Sequence, residues 1–138
     1  MNDAIVSLES VDKRFASGLL ALSGTSLRVA PGEFVTLIGP SGCGKSTVLR
    51  LAAGLEAPSA GRIDAPALAN ESAQTAFVFQ EPTLMPWASV FDNVWLPVRL
   101  AGDSRAAARE RIEAVLAAVG LGEFAAAFPN ELSGGMKM

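Results

Sequence analysis

The chain has 138 residues, with 11 Lys and Arg against 14 Asp and Glu, one Cys and no His. Without imidazole there is no Ser-His-Asp or Cys-His nucleophile system, and a single thiol builds neither a zinc cage nor an internal disulfide, so general-base work falls to carboxylates or Lys. A net charge of −3 argues against a partner of the nucleic-acid backbone type, so any phosphate ligand must be held by local chemistry.

Hydrophobic residues make up 50% of the chain and charged ones 18%, below the usual charged share of roughly 25%, so the chain has much surface to bury against itself or a partner. No apolar run approaches the roughly 18 residues that span a bilayer. The opening MNDAIVSLESVDKRF lacks the basic start and apolar block of a secretory signal, which makes the cytoplasm the expected compartment.

In chain order, AIVSLE at 4–9 and TSLRVA at 25–30 partly alternate apolar with polar, as half-exposed antiparallel strands do. A Gly/Ser-containing connection at 16–24 joins them, and Pro31-Gly32 marks a turn. EFVTLI at 33–38 is a dense apolar run of strand length, read as a strand buried on both faces. It feeds into GPSGCGKST at 39–47, after which Val48, Leu49, Leu51, Ala52 and Leu55 fall on one face of a helix. Gly54 and Pro58 close that helix, 61–64 reads as a short strand and 65–74 as a loop.

TAFVFQ at 75–80 is a second buried-strand candidate. Pro82 and Pro86 break regular structure, and 89–100 reads as helix until Pro97 kinks or ends it. Asp103 or Ser104 caps an Ala-rich helix over 105–119, which Gly120 and Gly122 end. A last turn from Ser133 has only five residues after it, too few to be more than marginal alone.

Gly39, Gly44, Lys45 and Ser46 satisfy the spacing G-x-x-x-x-G-K-[ST], preceded by an apolar strand candidate and followed by an amphipathic helix candidate. The glycines at 39, 42 and 44 let consecutive backbone N–H groups turn inward as an anion nest, and the helix beginning near Lys45 adds unpaired N–H groups and its positive dipole end. In such a loop Lys45 reaches the β- and γ-phosphates and the Ser46 hydroxyl ligates Mg²⁺. Cys43 within it reads as a small filler side chain rather than a reactive thiol.

Two further features follow in order. Gln80 ends the 75–80 run where a Walker B strand would carry Asp; beside a phosphate loop it is chemically able to serve Mg²⁺ or an attacking water, and taken alone it is a solvated turn residue. LSGG at 132–135 places Ser133 to cap a helix and Gly134 and Gly135 to let an oxyanion approach the backbone, or is simply a Ser-Gly turn.

Together, VDKRF, GPSGCGKST, LRLAAGLEAPSAGRI, VFQEPTLMPW and LSGGM make the chain resemble the ATP-binding subunit of an ABC transporter over nearly its whole length, most like nitrate, sulfonate or taurine importer subunits. The resemblance implies an α/β fold of the P-loop NTPase class: a mostly parallel sheet, N-terminal antiparallel strands and a helical subdomain, with a nucleotide-binding core over 1–88 and a helical segment over 89–138. It implies ATP and Mg²⁺ as cofactors, held by Gly39, Pro40, Ser41, Gly42, Cys43, Gly44, Lys45, Ser46 and Thr47. Phe15 becomes the aromatic that stacks on adenine, Gln80 the Q-loop residue near the metal, and Ser133, Gly134 and Gly135 the signature motif. The implied partners are a membrane-spanning permease subunit and a second ATP-binding subunit, a homodimer at the cytoplasmic face of the membrane, with no nucleic acid.

The permease contact would give Leu84, Met85, Trp87, Trp95 and Leu96 a purpose, although Trp95 reads equally as helical core. Walker B, the D-loop and the switch His of the family have no counterpart in these 138 residues. The chain therefore reads as a truncated subunit that binds ATP and hydrolyses it poorly, with uncovered sheet edges that favour aggregation. A non-catalytic nucleotide-binding fragment and a small P-loop kinase are the alternatives.

Overall fold

In a computed structural model of the chain, which describes residues 4–65 and 75–138, the backbone divides into two compact units, Met1–Phe77 and Val78–Met138. The loop expected over 65–74 lies almost wholly outside the described residues.

The first unit is built on a three-stranded antiparallel sheet of β1 (Val6–Arg14), β2 (Leu20–Val29) and β3 (Ala60–Asp64), with β1 in the centre. β1 and β2 are longer than their alternation suggests, because the alternation is broken by irregular pairing. The register slips between Leu8 and Val11 and again before Lys13, and Ser10 takes a positive φ of 46° at the first slip. The expected connection at 16–24 accordingly contracts to a tight hairpin, in which Phe15 N–H donates to the Leu19 carbonyl at 2.9 Å and Gly18 N–H to the Phe15 carbonyl at 2.8 Å. Gly61 of β3 is a position that only glycine fits: φ is +84°, and a Cβ there would run into the Glu9 and Ser10 carbonyls of β1.

Helix α1 (Lys45–Ala52) lays Val48 and Leu51 on the sheet, where they join Leu8, Val11 and Leu22 in one apolar cluster. Of the five residues expected on the buried face, Val48 and Leu51 are buried and Ala52 half-buried, whereas Leu49 and Leu55 are exposed.

The two runs expected to form buried parallel strands do not enter the sheet. Neither 33–38 nor 75–79 takes part in its ladders; Phe34 is 93%, Ile38 92% and Val78 89% exposed, while Leu37 packs half-buried on the cluster below α1. A strand buried on both faces needs ladder neighbours and a covering layer, and an apolar run cannot supply those for itself. Among the described residues the antiparallel part of the expected sheet is thus formed and the parallel part is not.

The second unit is helical. Helix α2 (Val90–Leu100) is capped by Ser89, whose hydroxyl accepts from Asp92 N–H at 3.1 Å, and α3 (Arg105–Ala118) by Ser104, which accepts from Ala107 N–H at 3.2 Å. Pro97 does not end α2; the helix runs on for three more residues and closes with Ala101 N–H on the Pro97 carbonyl at 3.1 Å. Val90 and Phe91 of α2 pack with Ala108, Ile112 and Leu116 of α3, and Leu132 completes the cluster. Single turns at Gly122–Phe124 and Pro129–Glu131 lead to α4 (Gly134–Lys137), a four-residue helix.

Candidate functional site

The loop at 39–44 enters α1 through Gly44, which stands at φ 95° and ψ 2° as the N-cap. That conformation is closed to a side chain here. A Cβ on Gly44 would sit 2.7 Å from the Ala21 carbonyl oxygen and 2.7 Å from Leu22 Cδ2, so the start of β2 packs directly on the loop. Gly42 also has a positive φ, 82°, but its Cβ position is open, so its requirement is conformational only. Gly39 lies against Cys43, an exposed residue whose Sγ would be 2.7 Å from a Cβ added at Gly39.

Because the cap is glycine, no side chain satisfies the first-turn N–H groups of α1, whereas Ser89, Ser104 and Ser133 do so for α2, α3 and α4, the other α-helices among the described residues. No acidic residue stands in that first turn either. The donors and the positive end of the helix dipole are therefore available to an anion in a chain whose net charge is −3.

Lys45 folds back over the loop. Its Nζ donates to the Gly39 and Pro40 carbonyls, both at 2.7 Å, and lies 3.5 Å from Cys43 Sγ. An ammonium has three protons, and these three acceptors account for them. To reach a phosphate the side chain must give up carbonyl partners, an exchange of like for better, since an ionised oxygen is the stronger acceptor. Ser41, Ser46 and Gly42 are exposed around the loop, and Thr47 is half-buried at the helix start.

Phe15 belongs to the same unit. It follows the last residue of β1 and opens the hairpin whose far side, Leu20 to Leu22, runs past Gly44. The Phe15 ring is half-buried, and Phe15 lies 29 positions before Gly44 in the sequence.

Gln80 and the 133–135 segment lie in the second unit. Gln80 is exposed in a bend, and Ser133 caps α4, its hydroxyl accepting from Met136 N–H at 3.4 Å with Gly134 and Gly135 exposed beside it. In the same unit Asn93 of α2, which sequence reading passes over, holds the preceding loop. Its Oδ1 accepts from Met85 N–H at 2.7 Å while Nδ2 faces the carbonyls of Met85, Ala88 and Ser89 at 3.2, 3.1 and 2.9 Å. That clamp leaves Trp87 77% exposed at the tip, with Leu84, Met85 and Leu96 half-buried; Trp95 is partly buried against the helical core. Among the described residues no three His, Cys, Asp or Glu side chains cluster as a metal cage, and no helix is long and apolar enough to cross a membrane.

A family model described as ABC transporter matches residues 22–138 of this chain. The chain belongs to the ABC transporter family. Among curated members, it is 48% identical over 137 residues to the aliphatic sulfonates import ATP-binding protein SsuB 1 of Rhizobium johnstonii, covering 97% of this chain and 49% of that one. It is 50% identical over 132 residues to the protein of the same name from Pseudomonas fluorescens, covering 96% and 46%. The taurine import ATP-binding protein TauB of Chromobacterium violaceum is 47% identical over 119 residues, covering 85% and 46%. The chain spans about half the length of these curated relatives.

Among solved structures, a dimeric bacterial ABC transporter cassette, MJ0796, superposes with a TM-score of 0.79 at 30% identity, over 96% of this chain and 65% of that one. The same cassette in a dimeric post-hydrolysis state bound to ADP and Pi gives 0.76 over the same shares. The α/β class of ABC cassettes expected from the sequence is therefore the class of this chain, even though the sheet formed by its described residues is small and antiparallel.

Proposed function

We propose that this chain is the nucleotide-binding part of an ABC import ATPase, and that the loop 39–47 binds the phosphates of ATP with Mg²⁺. The observation that carries the reading is the start of α1: first-turn donors with no side-chain cap, no acidic neighbour, and Lys45 closing the loop from the side. These groups fit a polyphosphate and its metal. Lys45 supplies a mobile cation, the backbone of Gly42, Cys43 and Gly44 supplies donors, and the Ser46 hydroxyl supplies an oxygen ligand for Mg²⁺. The metal's contribution is to neutralise the phosphate oxygens.

Phe15 receives the adenine, Gln80 serves the metal side of the site, and Ser133, Gly134 and Gly135 present the signature segment to the nucleotide of a second copy. Trp87, exposed beside the loop that Asn93 clamps, and the half-buried Met85 supply a surface for a permease subunit at the cytoplasmic face of the membrane. The sulfonate and taurine importer relatives support solute import as the process; turnover by these 138 residues alone is expected to be low, because no His and no strand ending in Asp-Glu is found in them to orient the attacking water.

The test is titration calorimetry with ATP and Mg²⁺ on the folded chain and on Lys45→Ala. Loss of one charged partner in a phosphate site should weaken binding about 10-fold or more, from ~1.5–3 kcal/mol per charge-assisted hydrogen bond. Equal affinity in the two proteins would defeat the proposal.

A further inference from the structure

We propose that Lys13 and Glu56 act as a latch that positions Phe15 for the base of a bound purine nucleotide, so that this pair governs affinity at the base end of the site and leaves the phosphate end alone. The inference rests on the nucleotide reading given above and assigns to two residues outside the loop a share in ligand selection.

Lys13 stands two residues before Phe15, and its Nζ is held from three directions. It donates to Glu56 Oε2 at 2.8 Å and to the Ala57 carbonyl at 2.8 Å, and it lies over the Phe15 ring, 5.3 Å from the centroid. The distance is within cation–π range. The Lys13 side chain is only 11% exposed, so this is a cation largely withdrawn from water and fixed by its partners rather than a surface lysine passing an acid. The same hydrogen bond and charge hold the Glu56 carboxyl below the usual carboxylate range.

Glu56 and Ala57 belong to the segment that leaves α1 and leads to β3. The latch therefore ties the hairpin carrying Phe15 to one end of the helix whose other end is the phosphate loop. At that other end the hairpin is already fixed, by the packing of Ala21 and Leu22 on Gly44. Ser59 adds a stitch on the same side as Lys13: its Oγ accepts from Arg14 N–H at 2.9 Å and its N–H donates to the Asp12 carbonyl at 2.8 Å. With both ends of α1 referenced to one hairpin, the separation between Phe15 and Gly44 is set before any ligand arrives. An aromatic platform contributes to binding to the extent that it is already in place. Release of Lys13 removes the cation from the ring and loosens the tie between the hairpin and the helix exit, where the Ser59 bonds remain, while Lys45 and the α1 terminus keep their partners.

The experiment compares two ligands on the same protein. ATP engages base and phosphates; inorganic tripolyphosphate engages phosphates only. Both are titrated with Mg²⁺ into the full chain, Lys13→Ala, Glu56→Gln and Lys13→Arg, with circular dichroism to verify folding. The expected result is an ATP Kd raised about two- to five-fold in Lys13→Ala and Glu56→Gln, the size of a lost cation–π positioning contact, an unchanged Kd for tripolyphosphate, and recovery of ATP affinity in Lys13→Arg. An unchanged ratio of the two dissociation constants in both variants, whether both ligands weaken together or neither does, overturns the latch. Failure of the unsubstituted chain to bind either ligand defeats the nucleotide reading itself and the latch with it, and that outcome is read before any variant is made. Should Lys13→Ala not fold, the isosteric Glu56→Gln carries the comparison.

Discussion

Two glycines of the loop that leads into α1 share a backbone conformation and differ in their surroundings, which allows the packing of β2 on the loop to be measured separately from conformational cost. Gly42 and Gly44 have φ of +82° and +95°. An alanine at either position carries the penalty of a left-handed backbone, roughly 1–2 kcal/mol. At Gly42 that is the whole cost, since nothing lies within 4 Å of the added Cβ. At Gly44 the Cβ would also lie 2.7 Å from Leu22 Cδ2, which can rotate away, and 2.7 Å from the Ala21 carbonyl oxygen, which cannot without moving β2. Forcing a methyl into occupied space costs a further ~1–3 kcal/mol. Gly42→Ala is therefore expected to lose about 1–2 kcal/mol and Gly44→Ala about 2–5 kcal/mol. The assay is thermal and urea unfolding followed by circular dichroism, in which each kcal/mol moves Tm by about 4–8 °C for a unit of this size. Equal losses in the two variants would refute the packing of β2 on the loop.

Two other outcomes are expected. Ile112→Ala, which empties a position 2% exposed at the centre of the helical cluster, should cost about 2–5 kcal/mol, read as a shift of the urea midpoint without a change in slope. The Lys13–Glu56 pair predicts a pH dependence with a definite sign. Because the folded Glu56 carboxyl lies below its ordinary value, its contribution is fully present above the usual carboxylate range and is lost as pH falls through the lowered folded value. Unfolding midpoints followed downward from pH 6 should therefore fall less steeply with acid in Glu56→Gln than in the unsubstituted chain, and parallel curves would count against the pair.

The residues whose role depends on near neighbours in sequence were legible in advance. The spacing of Gly39, Gly44, Lys45 and Ser46 fixes a loop-to-helix transition by backbone conformation alone, and α1 starts at Lys45 as that spacing requires. Ser104 and Ser133 cap their helices because a cap acts within three residues of itself. Of the two outcomes expected at Pro97, an end of the helix does not occur. A proline near the end of an otherwise well-packed helix loses one hydrogen bond, and α2 continues through it.

Properties that need two distant segments were decided by tertiary structure. The apolar density of 33–38 and 75–79 announces strands, but a strand exists only in a ladder, and sequence density says nothing of whether the neighbours are in place. The full requirement for glycine at positions 44 and 61 comes from carbonyls of β2 and β1 that approach across the fold. Lys13 and Glu56 look like any two surface charges in a list of residues, because 43 positions separate them and only the closure of β1 against the exit of α1 brings them to 2.8 Å. Sequence alone thus determined the loop-to-helix conformation at 39–47, since backbone dihedrals and caps are short-range. The ties between the β1–β2 hairpin and the two ends of α1 were left to chain folding, because distances between segments are set by packing.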